Sequence, residues 1–312
     1  MNKIAPRPVV SIITPLYNSA QFIAGTLDSL RRQTYEDWES ILVNDGSTDD
    51  THEQVKPYLS DPRFTYLKQE NQGIAAARNT GISAARGEWI CLLDHDDRWM
   101  TTKLERQLDF ARAHNFDIVA TEAVVVKGTH RTLYRHYFRE HLLARVEQSL
   151  NDPSIDVFEL LIEADFLCAS SVMIRKSLFD RLGLLDVSAA PCDDYEMWLR
   201  CMPDARIGYL SAPLIEYVLH ERNFSKNVPM MYERTIQLLF KTREKFLRDE
   251  RRRRQFDDSL LRLYQLLFRE LLKEKRYRPV LAHALLLCAL RQGGHRLLFK
   301  SLSLRQLLAA TQ

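Results

Sequence analysis

The sequence lacks the features that mark an exported, disulfide-stapled or membrane-spanning chain. Its five cysteines, Cys91, Cys168, Cys192, Cys201 and Cys288, form no C-x-x-C pair and no Cys/His spacing typical of zinc. Their odd number and scatter read as free thiols in a reducing compartment, which excludes a disulfide framework. The N-terminus, MNKIAPRPVVSIITPLYN, has no long apolar stretch followed by a small-residue cleavage site, so secretion is not expected. The most apolar run, VLAHALLLCAL, has eleven residues, too few to span a bilayer as a helix. No internal repeat is present. Glycine is absent between Arg222 and Gly293, where leucine and arginine dominate.

What is present points to a globular core, alone or with an appendage. A chain of 312 residues with 46% hydrophobic composition can bury one large core and more. The net charge of +3 hides an asymmetry: residues 1–240 carry 26 Lys/Arg and 34 Asp/Glu, a balance of −8, whereas residues 241–312 carry 18 and 7, a balance of +11. An acidic body with a basic tail predicts two jobs.

In the first hundred residues strands and helices alternate. VVSIITPL reads as a buried strand ending at Pro15, followed by a helix over AQFIAGTLDSLRRQ. WESILVNDGSTDD is a second strand running into a polar turn, FTYLKQ a short strand, and GIAAARNTGISAARG a helix closed by Gly87. Trp89 to Leu93 then form a strand that ends in acids. This alternation predicts a Rossmann-like, mostly parallel α/β sheet flanked by helices. Ligands in such sheets sit beyond the carboxyl ends of the strands. The polar clusters fall there, at Thr14 to Asn18, Asn44 to Thr48 and Asp94 to Asp97, and predict one shared cleft; three unrelated turns are the alternative. Farther on, DIVATEAVVVKG, HRTLYRHYF and SSVMI read as strands, SIDVFELLIE, KSLFDRLG and DDYEMWLRCM as helices, and IGYL and LIEYVLH as two strands. Leu260, Leu263, Leu267 and Leu271 recur at helical spacing in the basic tail.

Four residue groups carry chemistry. Asp94, Asp96 and Asp97 lie within four positions, and their mutual repulsion would be relieved by a divalent cation bound through oxygen. Magnesium takes one or two carboxylates and fills its shell with water and phosphate. The competing reading is a solvated turn in which Asp97 caps the helix TTKLERQLDFARAH. Asp45 precedes a glycine turn and could accept hydrogen bonds from a ligand, or simply form an Asx turn. Arg78 pairs well with anionic oxygens, or is a surface arginine. Asp193 and Asp194 open a helix, where the dipole favours acids whatever their function.

The phrases VSIITPLYN, VNDGSTDDT, NQGIAAARNTGISAARGEWICLLDHDDRW and CDDYEMWLRC stand in the order and spacing of family 2 inverting glycosyltransferases, which this chain resembles over residues 8–225. The resemblance implies the GT-A fold in a catalytic domain of residues 1–225. Its nucleotide-sugar-binding part would cover about 8–115 and its acceptor-binding part about 116–225. A basic, Leu-rich helical region would follow at 226–312. It also implies roles. Thr14, Pro15, Tyr17, Asp45 and Gly73 would frame the nucleotide, with Arg78 nearby. Asp94 would contact the ribose or the metal, and Asp96 would ligate a Mn2+ or Mg2+ bridging the diphosphate. Asp194 would be the catalytic base, with Asp193 before it on the substrate side. His220 resembles a late histidine that reaches the diphosphate or metal; family members often carry Arg where this chain has Val218.

These roles describe a metal-dependent transferase that moves a sugar from a nucleotide diphosphosugar, expected to be a UDP-sugar. The acceptor would be a hydroxyl of a cell-surface glycan or lipid-linked saccharide. One carboxylate suffices as base because a metal can take the acid partner's place, whereas a glycosidase needs two flanking carboxyls. A nucleotidyltransferase of related fold is the alternative, but ITPLYNSAQF is not the glycine-rich basic loop such enzymes carry. A catalytically dead sugar-nucleotide scaffold is the other. The tail could place a cytoplasmic enzyme on the inner face of an anionic membrane, pack as a subdomain, or form a homodimer. No basic platform interleaved with aromatics appears, so nucleic acid is not expected as a partner.

Overall fold

A computed structural model describes residues 8–134, 140–149, 156–201, 205–246 and 248–274. The chain divides into two compact units, Met1–Glu221 and Arg222–Gln312. The first unit runs β1 (Val10–Leu16), α1 (Ile23–Arg31), β2 (Trp38–Asp45), α2 (Thr51–Val55), β3 (Phe64–Gln69), α3 (Ile74–Ala84), β4 (Trp89–Leu92), β5 (Arg98–Trp99) and α4 (Lys103–His114). It continues with β6 (Ile118–Lys127), β7 (His130–Leu133), α5 (Glu140–Gln148), α6 (Val157–Glu163), β8 (Met173–Arg175), α7 (Lys176–Leu182), α8 (Asp193–Cys201) and β9 (Ile207–Val218).

The strands form one sheet in the order β3-β2-β1-β4-β8-β6-β9-β5, with β7 paired to β6. The alternating pattern of the first hundred residues is realised as four parallel strands, β3, β2, β1 and β4. Every residue of β1 and β2 is buried, as expected of strands covered on both faces. The second half is mixed rather than mostly parallel: β8 runs antiparallel to both β4 and β6, while β6 and β9 are parallel. A direct reversal at Gly128 (φ +59°) makes β6 and β7 a hairpin, so no crossover helix is needed there.

Local readings change at particular residues. IGYL and LIEYVLH are one continuous strand, β9, whose register against β6 slips beside Glu122, opposite Pro213. Proline cannot donate to the ladder, so it falls at an irregularity rather than a strand end. In SSVMI, Ala169–Ser171 form a single 3-10 turn and the strand starts at Met173. Gly87 does not cap α3, which ends at Ala84; a Cβ at Gly87 would lie 2.7 Å from the Ser11 backbone nitrogen, so the glycine permits close backbone approach. HRTLYRHYF is strand only over His130–Leu133, and residues 135–139 lie outside the described residues.

In the second unit, α9 (Val228–Arg243) and α10 (Glu250–Lys273) pack together. Asn227 and Asp249 cap their N-termini by accepting from the Met230 and Arg252 amides. The buried face of α10 is Phe256, Leu260, Tyr264, Leu267 and Leu271. Leu263, expected on that face, is only half-buried, because the aromatic residues hold its place. Phe246 stacks on Phe256, Phe240 meets Tyr264, and Arg243 makes a two-pronged ion pair with Asp257. VLAHALLLCAL lies outside the described residues. Among the described residues no helix is long and apolar enough to cross a membrane.

The position of α3 rests on one close approach. A Cβ at Gly81 would meet Ile13 Cγ2 at 2.4 Å, so the helix lies hard against β1. Gly81→Val is therefore expected to lower the unfolding free energy by about 1–3 kcal/mol through overpacking. Urea denaturation measures this, and a variant as stable as the parent contradicts the contact.

Candidate active site

The carboxyl ends of β1, β2 and β4 lie side by side, since β1 pairs in parallel with both β2 and β4. The loops beyond β1 and β2 are sewn together. Asn18, in the left-handed region at φ +49°, donates its amide to Ser47 Oγ and accepts from the Thr48 amide through Oδ1. The Ser19 amide donates to Thr51 Oγ1, and the Ala20 amide to Asp49. This leaves Tyr17 half-exposed at the strand end (50%), whereas Thr14 and Pro15 are buried. The Thr14 hydroxyl is buried without a partner among the described residues.

Asp45, at the end of β2, is buried and organises the start of α3. Its Oδ1 accepts from Gln69 Nε2 (2.7 Å) and the Gln72 amide (2.9 Å), and its Oδ2 from the Gly73 amide (2.8 Å). Gly73 itself sits at φ +90°, which only glycine adopts without strain. Asp45 is thus no local Asx turn; it reaches 27 and 28 residues along the chain.

The three acids after β4 have three different fates. Asp94 accepts from Arg78 Nη2 at 2.8 Å. Asp96 Oδ2 lies 2.8 Å from His220 Nε2. Asp97 is buried and accepts from the Val218 amide at 3.1 Å, so it does not cap α4, whose flanking residue is Thr102. Burial, with Asp96 and Asp94 adding to it, pushes the Asp97 carboxyl well above the usual range. The bond to Val218 fixes the end of β9 two residues before His220, whose ring stacks on Phe22 with centroids 4.1 Å apart. The turn is also anchored by Thr26, which donates to the His95 carbonyl, and by Ser170, whose hydroxyl accepts from the Asp94 amide.

Arg78 is not a surface arginine. It is 3% exposed, and besides Asp94 its Nη1 donates to Asp193 Oδ2 at 2.9 Å. Burial opposes its charge, but Asp94, Asp193 and Asp194 outweigh it and raise its pKa. Asp193 is fully buried at the start of α8, and Asp194 beside it is half-buried. Burial first, with Asp193 and Asp94 adding to it against the opposing pull of Arg78 and the Tyr195 amide, raises the Asp194 carboxyl to about 7. A second acid, Asp165, feels Asp194 and is itself raised well above the usual range, by burial first. Tyr134, facing Tyr217 edge-on at 5.8 Å, and Cys168 also sense Asp194.

The structure thus brings Asp94 and Asp193 together on the Arg78 guanidinium, with Asp194 within its electrostatic reach, and pairs Asp96 with His220. Phe22, Ser170, Asp165 and Tyr134 were missed from sequence. Only Ser170 had a signal, as a polar pair inside an apolar strand-like phrase. Among the described residues no group of three or more His, Cys, Asp or Glu is arranged to hold a metal ion. Asp96 and His220 offer one oxygen and one nitrogen donor, a pair that fits a divalent ion whose remaining positions go to water and phosphate.

Comparison with known proteins identifies the family and the fold. The model of the family "Glycosyl transferase family 2" matches residues 11–183. A putative teichuronic acid biosynthesis glycosyltransferase, TuaG, of Bacillus subtilis is 43% identical over 71% of this chain and 83% of its own length. An uncharacterized glycosyltransferase of Rickettsia prowazekii is 28% identical over 68% of the chain, and the match spans 64% of that relative. Among solved structures, Staphylococcus aureus TarS in complex with UDP-GlcNAc aligns with a TM-score of 0.61 at 21% identity, over 81% of this chain and 71% of that one. The mannosyltransferase PcManGT of Pyrobaculum calidifontis, in complex with GDP-Man and Mn2+, aligns with a TM-score of 0.61 at 20% identity, over 98% and 86%. The two structural likenesses show a shared GT-A fold. The chain belongs to glycosyl transferase family 2.

Proposed function

We propose that this glycosyltransferase performs a metal-dependent, inverting transfer from a nucleotide diphosphosugar, a UDP-sugar, to a saccharide hydroxyl. The observation that carries the reading is the shared guanidinium of Arg78. It sets a half-buried carboxylate of raised pKa, Asp194, beside the strand-end acids that would receive the donor.

Tyr17, the exposed aromatic at the end of β1, is the residue to face the nucleobase. Asp45 and Gly73 shape the loop beside it, and Thr14 and Pro15 form the wall behind. Asp94 turns its carboxylate to the ribose or the cation. Asp96 and His220 would hold the Mn2+ or Mg2+, which neutralises charge on the departing diphosphate when bound. Asp194 takes the proton of the acceptor hydroxyl as it attacks from the face opposite the leaving group. A carboxylate with a pKa near 7 is a stronger base than an ordinary one and is still ionised in half of the molecules at that pH.

The name of the Bacillus relative supports an acceptor in the cell envelope, a surface glycan or lipid-linked saccharide. The +11 balance of residues 241–312 supports docking on an anionic membrane surface.

Asp194→Asn is expected to lower transfer by about 10²–10⁴-fold while UDP binding persists; nucleotide release and calorimetry measure the two, and undiminished turnover contradicts the base. In the parent, kcat/KM is expected to fall as pH drops below about 7, because protonation removes the base. Asp96→Ala and His220→Ala should each weaken Mn2+-dependent UDP binding by about tenfold or more; titrations unchanged from the parent argue against the ligand pair. The full chain should sediment with vesicles containing anionic phospholipid but not with zwitterionic ones, and should be released by salt. Failure to bind either rules out the docking.

A further inference from the structure

Two consecutive side chains of α3 grip the segment that carries the base. Arg78 donates Nη1 to Asp193, 115 residues away, and Nη2 to Asp94, 16 residues away. Asn79 makes a pair of hydrogen bonds to the Leu185 backbone: its Nδ2 donates to the carbonyl and its Oδ1 accepts from the amide, both at 2.9 Å. Leu185 and Asp193 bracket the loop leading into α8. The helix that does the gripping is itself fixed at both ends, by Asp45 at Gly73 and by the contact of Gly81 with Ile13.

The guanidinium is buried, and both terminal nitrogens are engaged by carboxylates. We propose that Arg78 is a positioning residue for the base rather than a nucleotide contact: it holds Asp193, and with it the first turn of α8, against Asp94. The proposal rests on the reading of Asp194 as base. The groups that act on Asp194 are Arg78 from α3, Asp94 beyond β4, Asp193 on α8 itself, Asp165 beyond α6, Tyr134 beyond β7 and Cys168 before β8. Arg78 is the cation in that set, so it also sets the pH at which Asp194 becomes a base. Aspartate next to a cation ionises more readily, and removing the cation moves ionisation upward.

The test follows Asp194 directly, by 13C carboxyl titration of the nucleotide-free protein, with Asp194→Asn assigning the signal. In Arg78→Met the midpoint is expected to rise by about one pH unit or more, and kcat to fall with the same upward shift of its profile. Arg78→Lys keeps a charge but lacks the planar fork that spans two carboxylates. It should fold, lower kcat by about tenfold, and leave the UDP dissociation constant within about threefold; it carries the test if Arg78→Met does not fold. An unmoved midpoint in Arg78→Met overturns the proposal, as does an undiminished kcat in Arg78→Lys. So does a UDP dissociation constant about tenfold weaker in Arg78→Lys at unchanged kcat. If the parent releases nucleotide from no donor sugar, the transferase reading fails, while the Asp194 titration still reports on Arg78.

Discussion

Burying a guanidinium is costly unless carboxylates surround it, and Arg78 is buried between two of them. Removing Arg78 would leave two carboxylates facing each other without a cation, and removing either acid would strand a buried guanidinium nitrogen, so Asp94, Arg78 and Asp193 depend on one another. That dependency ties the parallel half of the sheet to the helix that carries Asp194. The rest of the site is arranged around it: Asp45 starts α3, Gly81 seats it, and Asn79 holds the loop into α8.

The crowding of Asp94, Asp96 and Asp97 is resolved by giving each acid a different environment. Asp94 meets a permanent cation. Asp97 turns inward to the Val218 amide, and burial favours its neutral form. Asp96 meets the His220 ring nitrogen, a donor type that a metal ion could share. Each of the three acids therefore has a partner within the protein, and Asp96 and His220 present one carboxylate and one imidazole side by side.

The parallel half of the fold was legible because β1 and β2 are unbroken apolar runs and their ends are punctuated by polar clusters at regular spacing. The mixed half was not. Strands as short as the three residues of β8 carry no periodicity, and Ser211 to Pro213 reads as a break although the strand passes through it. Individual acids could be listed from the sequence, but their partners could not. The pairing of Arg78 with Asp193 spans 115 residues, and nothing in either local sequence announces the other. The order of the family's phrases gave no hint that Arg78 would be buried or that Asp165 would lie within electrostatic reach of Asp194.

The central claim is that the strand-end turn and His220 receive the diphosphate of a nucleotide sugar together with a divalent ion. The most direct measurement is a crystal structure grown with UDP and Mn2+, read by anomalous scattering at the manganese edge. The account predicts a single strong peak in contact with Asp96, His220 and the diphosphate, with the Asp96–His220 contact opened to admit it. A peak elsewhere, or UDP bound with that contact intact and no ion beside it, would contradict the account.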